Sequence, residues 1–364
     1  MSCQPDFARL SGELGFACDG ADSFVTLRNP FALADWTMPV VEALMLLGAV
    51  LALWLAIRRL RRDADPTTLT LWLASTLCVL LVQPPMLGTA FAHNVFAVEL
   101  GYDHLPLYTV ALHPAVITLA FDTVRAAGVF ERRGPVVGAV CVGFVNACFY
   151  EMYDHLGPQL RWWAWNDDDA LNRPMMNSVP MSSAVILAMV GPAALAFLGY
   201  VLVGGPVARG RRLGAVAVTW RAAAIGMWAA AVIVGLGTAV PLLGGRPVLQ
   251  TIAFGVVIAV FVVVSAPVLF GQWRRTRHEG GTEYPTSFVR YYGALYLAVF
   301  AVLWISALPE LAGAIGGTTR EGTPTGNFGY VAACFTAALT CVVGASTLGG
   351  EREKATSDVT TTRA

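Results

Sequence analysis

Nine apolar runs dominate this chain, each close to the roughly 20 residues that a helix needs to cross a hydrocarbon layer of about 30 Å. They fall at 38–57, 69–90, 107–127, 135–155, 181–203, 222–241, 248–270, 291–312 and 330–349. Inside a bilayer every backbone N–H and C=O must be satisfied by the chain itself, and a run of this length does so as a helix. The chain therefore reads as all-α, a polytopic transmembrane helix bundle of about nine spans. Composition agrees, because 56% of the 364 residues are hydrophobic and only 13% charged, about half the charge of a soluble domain. The 24 basic and 24 acidic residues cancel, which leaves no basic field to hold nucleic acid.

Arginine sets the orientation. The loops after the first, third, fifth and seventh runs carry Arg58 to Arg62, Arg132-Arg133, Arg209 to Arg212 and Arg274 to Arg277. Eighteen of the 24 basic residues fall on that side and six on the other, so the arginine-rich side is expected to be cytoplasmic and the membrane to be the plasma membrane. The N-terminus is then outside and the C-terminus inside, as an odd number of spans requires. Residues 1–36 are expected to be an extracytoplasmic tail, 37–350 the transmembrane domain and 351–364 a disordered cytoplasmic tail. The start of the chain carries Asp6, Glu13, Asp19 and Asp22 where a signal peptide would be basic and then apolar.

Cys3 and Cys18 share that outer tail and could be bridged there or stay free thiols. The other five cysteines lie in apolar runs at spacings that match no zinc motif and read as small packing residues. Gly- and Ala-rich stretches at 214–237 and 332–350 allow close helix packing. Pro84, Pro85, Pro114, Pro192 and Pro267 mark kinks.

Ionisable residues gather toward the outer ends of the runs, and such groups at membrane depth mark functional sites by default. The sharpest group is Glu151, Asp154 and His155 at the end of the fourth run. Positions i, i+3 and i+4 share a helical face, and Asn146 and Tyr150 extend the stripe. A carboxyl held there in a low dielectric would stay protonated and could serve as an acid; the alternative is a polar helix end at the interface. Arg161-Trp162-Trp163-Ala164-Trp165 follows. Tryptophans in that place read first as an interfacial belt, although aromatic faces also stabilise cations. Asn177 and the serines before the fifth run can cap a helix or orient a ligand. If residues 93–101 are helical, His93, Phe96 and Glu99 recur every three residues. His113 and Glu42, with Glu310, are further candidates for one cavity. Asp122 and Arg125 read as a salt-bridged or snorkelling pair.

His93, Glu99, His113, Glu151, Asp154 and His155 are numerous enough for zinc or a di-iron centre, but no HExxH or paired ExxH spacing occurs, so no metal is assigned. P-loop, GxSxG and dinucleotide fingerprints are also lacking, so no cofactor is expected.

In the order of these motifs the chain resembles the membrane carotenoid-biosynthesis proteins that include the carotenoid hydratases. The matching positions are His93 with Glu99 and Gly101, Asp154 with Pro158, Trp163 and Trp165, and Val179-Pro180. Ser178 and Ser183 stand where that family has glycine and asparagine. The likeness covers residues 93 to 183. The chain is also similar to a group of actinobacterial multi-pass membrane proteins that carries no functional assignment. What the first resemblance implies is acid catalysis on an isoprenoid double bond, with Asp154 or Glu151 as proton donor, His93 or His155 placing water, and tryptophans facing the cation. Three readings follow: a lyase, cyclase or hydratase acting on an isoprenoid or lipid; a non-enzymatic lipid-binding or transport protein; and an accessory subunit packed against a protein partner or further copies of itself.

Overall fold

The computed structural model describes residues 5–16, 23–242, 246–282 and 284–361; Cys3 and Cys18 lie outside them. Among the described residues, nine helices are long and apolar enough to cross a membrane. They are α2 (Thr37–Asp63), α3 (Thr67–Met86), α4 (Leu107–Ala126), α5 (Val129–Leu156), a composite fifth span (Ser183–Ala208), α8 (Ala215–Leu242), α9 (Pro247–His278), α10 (Ser287–Ala312) and α11 (Phe328–Thr361). In the composite span, π turns at Ser183–Val190 and Tyr200–Gly204 alternate with α6 (Gly191–Gly199) and α7 (Gly205–Ala208). The fold is that of a multi-pass membrane protein.

Most boundaries shift outward at the arginine-rich end, where α2 and α9 continue through Arg61 and Arg277. Long basic side chains let a helix emerge from hydrocarbon while their heads reach water. Arg58, Arg221, Arg274 and Arg290 stack on Trp54, Trp220, Phe270 and Tyr291 at 5.3 to 5.7 Å, the pairing expected of an interfacial band. At the start of α5, Gly134 adopts φ 82°, ψ 172° and breaks the helix before Pro135, where the apolar run begins.

The core sits around α4 and α5, whose most apolar stretches are 89% and 78% buried against 22% for α9. Exposed Val256, Val263, Phe270 and Ile305 lie on the outer helices, the surface a bilayer would cover. Close approach depends on small residues: a Cβ at Gly48 would stand 2.1 Å from the Tyr292 hydroxyl.

The opposite end of the bundle is capped by short strands and α1 (Pro5–Glu13). β1 (Val25–Leu27), β3 (Val98–Leu100) and β4 (Leu105–Pro106) form one antiparallel sheet in the order β1-β3-β4. β2 (Phe91–His93) pairs with β5 (Trp163–Trp165), setting His93 opposite Trp163. β6 (Met175–Met176) and β7 (Val179–Pro180) form a hairpin. The helical stripe expected for His93, Phe96 and Glu99 is therefore corrected. Pro84-Pro85 and Gly88, at φ 77°, end the helical path, and the short apolar runs beyond pair as strands. α1 is packed down through Phe7 and Leu10, which cluster with Leu14 and Ala92.

Tryptophan supplies a second correction. Trp162 and Trp163 are 0% and 3% exposed, so they form the centre of the cap instead of an interfacial belt. Trp163 covers Gly157 so closely that a Cβ there would be 2.0 Å from the indole.

A third correction concerns Asp122 and Arg125, which do not pair with each other. Asp122 accepts two hydrogen bonds from Arg59 at 2.8 and 2.9 Å, while Arg125 pairs with Asp65 at 2.8 Å. Three residues apart on α4, the two side chains diverge far enough to meet different neighbours. The Tyr284 ring lies against both guanidinium groups, at 4.4 and 4.5 Å, and its hydroxyl donates to Asp122 at 2.8 Å. Burial raises the carboxyl of Asp65, but Arg125 and Thr67 outweigh it and hold the group below its ordinary range.

Candidate functional site

The candidate polar residues separate into three places. The first is the cap. Glu42, on α2, accepts hydrogen bonds from the amides of Ala97 and Val98 at 3.0 and 2.9 Å. It ties the chain between β2 and β3 to the bundle. Glu99 Oε1 accepts from the amide of Phe96 at 2.6 Å, while Oε2 is buried without a partner. Burial pushes its carboxyl up to about 9, with Asp103 and Glu42 adding to the rise and Phe96 and Arg28 opposing it. His93 is enclosed by Phe91, Tyr108 and Trp163. Neither ring nitrogen has a partner, and burial lowers its pKa to about 3, so the ring is neutral. Trp162 donates to Thr37 Oγ1 at 3.0 Å. These residues hold the cap to the bundle.

The second place lies between α5 and the start of α11. Glu151 and His155 are both fully buried, with Oε2 and Nε2 3.4 Å apart. His155 Nδ1 accepts from the amide of Asn327 at 3.3 Å, and the ring packs beside Tyr330. Both Glu151 oxygens lack a hydrogen-bond donor.

The third place is on the other flank of α5. Asp154 Oδ2 accepts from Ser183 Oγ at 2.7 Å, and the Tyr150 hydroxyl lies beside the same serine. Asn146 donates to the carbonyl of Ala188 at 2.9 Å. His113 Nδ1 stands 2.9 Å from the carbonyl of Thr109, and its ring packs against Tyr150. Asp154 and Glu151 thus part company. Three helical residues turn about 300°, leaving the two side chains some 60° apart, and α5 is central enough to pack on both flanks. Asn177 stands in the β6–β7 turn at φ 57°, next to Ser178, which donates to the carbonyl of His155 at 3.0 Å; Glu310 lies near the end of α10, with Arg161 and Asp35 among its charged neighbours.

Two cavities adjoin the third place. A cleft of about 290 Å³ lies between the end of α3, the 165–172 loop, the first π turn and α8. Trp165, Asn172, Ser183, Ile186, Gly237 and Thr238 help to line it. Ser183 is the link between this cleft and buried Asp154. Deeper in, His113, Asn146 and Tyr150 help to line a chamber of about 30 Å³. Val82, Leu187 and Ile233 line both the cleft and the chamber. Wide π turns occur often at functional sites, and Ser183–Val190 reaches both spaces.

Ser183 and Gln83 are the residues that sequence reasoning undervalued. Gln83 was legible as an amide inside an apolar run just before Pro84-Pro85. Ser183 is legible as one of the serines that can cap the fifth span or orient a ligand, but its partner Asp154 is set by helix packing.

Among the described residues, no group of three or more His, Cys, Asp and Glu side chains is arranged to hold a metal ion. Comparison with protein-family models, with curated proteins and with solved structures found no match.

Proposed function

We propose that this chain is an integral membrane protein, its strand-capped end outside the plasma membrane, that takes an isoprenoid or other lipid chain from the bilayer into the cleft between α3 and α8. The observation that carries this reading is the cleft itself. It is mostly apolar, is lined by α3, α8 and the first π turn together with the 165–172 loop, and keeps a few polar groups such as Asn172, Ser183 and Thr238, the composition usual in small-molecule sites. The bundle offers hydrocarbon outside and a shaped apolar cavity inside, so such a ligand need not enter water. Filling the cleft tests the reading. At Gly237 a Cβ would meet only the Leu171 side chain, at 3.7 Å, so a phenylalanine ring can extend into the space. The purified protein in nanodiscs should bind a fluorescent polyprenyl probe, and Gly237→Phe should weaken that binding at least tenfold with the helical content unchanged. Equal binding by both proteins refutes the proposal.

The hydrogen bond from Ser183 to Asp154 favours a second, catalytic reading. For that chemistry the serine hydroxyl would turn, so that a protonated Asp154 donates its proton to Ser183 Oγ as the serine O–H proton goes to an alkene carbon of the bound chain. Water would add to the resulting cation, and the proton it releases would return to the carboxylate. Asp154→Asn should then abolish turnover while leaving probe binding within twofold.

A further inference from the structure

The small chamber beside the cleft has an unusual hydrogen-bonding balance. Gln83 Oε1 is buried and has no donor. His113 Nδ1 faces the carbonyl of Thr109 at 2.9 Å. A carbonyl only accepts, so Nδ1 carries the proton and Nε2 of the neutral ring is an acceptor. Asn146 gives one N–H to the carbonyl of Ala188 and Ser75 gives its hydroxyl to the carbonyl of Trp72. The chamber therefore holds one buried acceptor without a donor, Gln83 Oε1, and His113 and Tyr150 line the same space. No Lys, Arg, Asp or Glu lines it, so a phosphate or carboxylate placed there would be desolvated and unpaired. Its volume of about 30 Å³ suits one or two groups the size of a water oxygen, each needing roughly 10–15 Å³ by this measure.

We infer that the chamber is a binding site for a neutral hydroxyl group, which donates to Gln83 Oε1 or His113 Nε2 and accepts from Tyr150. The hydroxyl comes either from the end of an apolar chain lying in the cleft or from water. In the first case the protein selects long-chain alcohols over the matching hydrocarbons and phosphates. This inference rests on the cleft reading for its ligand, because Val82, Leu187 and Ile233 line both the chamber and the cleft.

The test compares farnesol, farnesene and farnesyl monophosphate as ligands of the full chain in nanodiscs. Farnesol should bind at least tenfold tighter than the other two. Gln83→Leu should bring farnesol down to the level of farnesene and leave farnesene unchanged; His113→Phe is the parallel variant should Gln83→Leu not fold. A high-resolution map of the protein without added ligand identifies the other source. An ordered oxygen between Gln83 and His113 that is lost in Gln83→Leu assigns the hydroxyl to water and supports the site. Equal binding of farnesol and farnesene together with no such oxygen overturns the inference, as does a preference for the phosphate. If no probe binds at all, the cleft reading fails, and the map alone decides the chamber.

Discussion

Asp122→Asn places the heaviest load on a single interaction. The Arg59 guanidinium is 4% exposed and the Asp122 carboxylate 1%, and two hydrogen bonds of 2.8 and 2.9 Å join them. An asparagine keeps the shape and one acceptor but removes the charge. Arg59 then remains a buried cation beside Asp65, which is already engaged by Arg125. Breaking one partner of a buried pair costs about 3–5 kcal/mol, most of it the desolvated charge left behind. Removing both charges with Arg59→Met and Asp122→Leu avoids that term and should cost clearly less than Asp122→Asn alone. The Tyr284 hydroxyl then loses its acceptor, and Thr68 Oγ1 and the carbonyl of Pro285 lose the Arg59 donor, each about 0.5–1.5 kcal/mol as a net hydrogen bond. Unfolding in mixed micelles with a rising fraction of dodecyl sulfate, followed by circular dichroism, measures all three. A cost below about 1 kcal/mol for Asp122→Asn, or a double variant worse than the single one, would refute the assignment of this pair as the lock of the arginine-rich end.

Three further outcomes follow from the same geometry. Glu42→Ala removes the acceptor for two buried amides, so Ala97 and Val98 should lose hydrogen-exchange protection by at least tenfold while amides in α4 keep theirs; unchanged protection contradicts the role given to Glu42. Glu99 has a folded pKa of about 9 against an ordinary 4.5, so it binds its proton more tightly in the folded chain. Its contribution is complete below about pH 4.5 and is lost as pH rises toward 9, and Glu99→Gln should flatten the fall in thermal stability between pH 5 and 9. Parallel curves for the two proteins would show that Glu99 ionises freely. Ser183→Ala leaves Asp154 Oδ2 without its donor and should destabilise the fold by about 1–3 kcal/mol, read in the same micelle titration, whereas Ser182→Ala, which loses a bond to the carbonyl of Leu171, should cost about half as much.

Much of the bundle could be read from the chain because hydrocarbon imposes a length and a composition on each span. Pro135 as the effective start of the fourth span is an example, since Gly134 breaks the helix just before it. The cap was hidden for the opposite reason. Its strands are two or three residues long, and their pairing joins segments as distant as His93 and Trp163. A three-residue spacing such as His93, Phe96 and Glu99 fits a helix on paper, and only the partner strands exclude it. The site was half legible. Periodicity brought out Glu151, Asp154 and His155, but the packing of a central helix on two flanks sends Asp154 to Ser183 and leaves Glu151 with His155. The crossed pairing of Arg59 with Asp122 and of Arg125 with Asp65 depends on how α2 approaches α4, which local spacing does not encode.

The most direct test of the account is a photo-crosslinking residue placed at Ile186, inside the cleft, with Val263 on the lipid-facing surface of α9 as the reference. Mass spectrometry of the adducts from membranes of the host should give one defined apolar molecule at position 186 and the mixed phospholipids of the bilayer at position 263. The same phospholipid mixture at both positions would contradict a selective cleft.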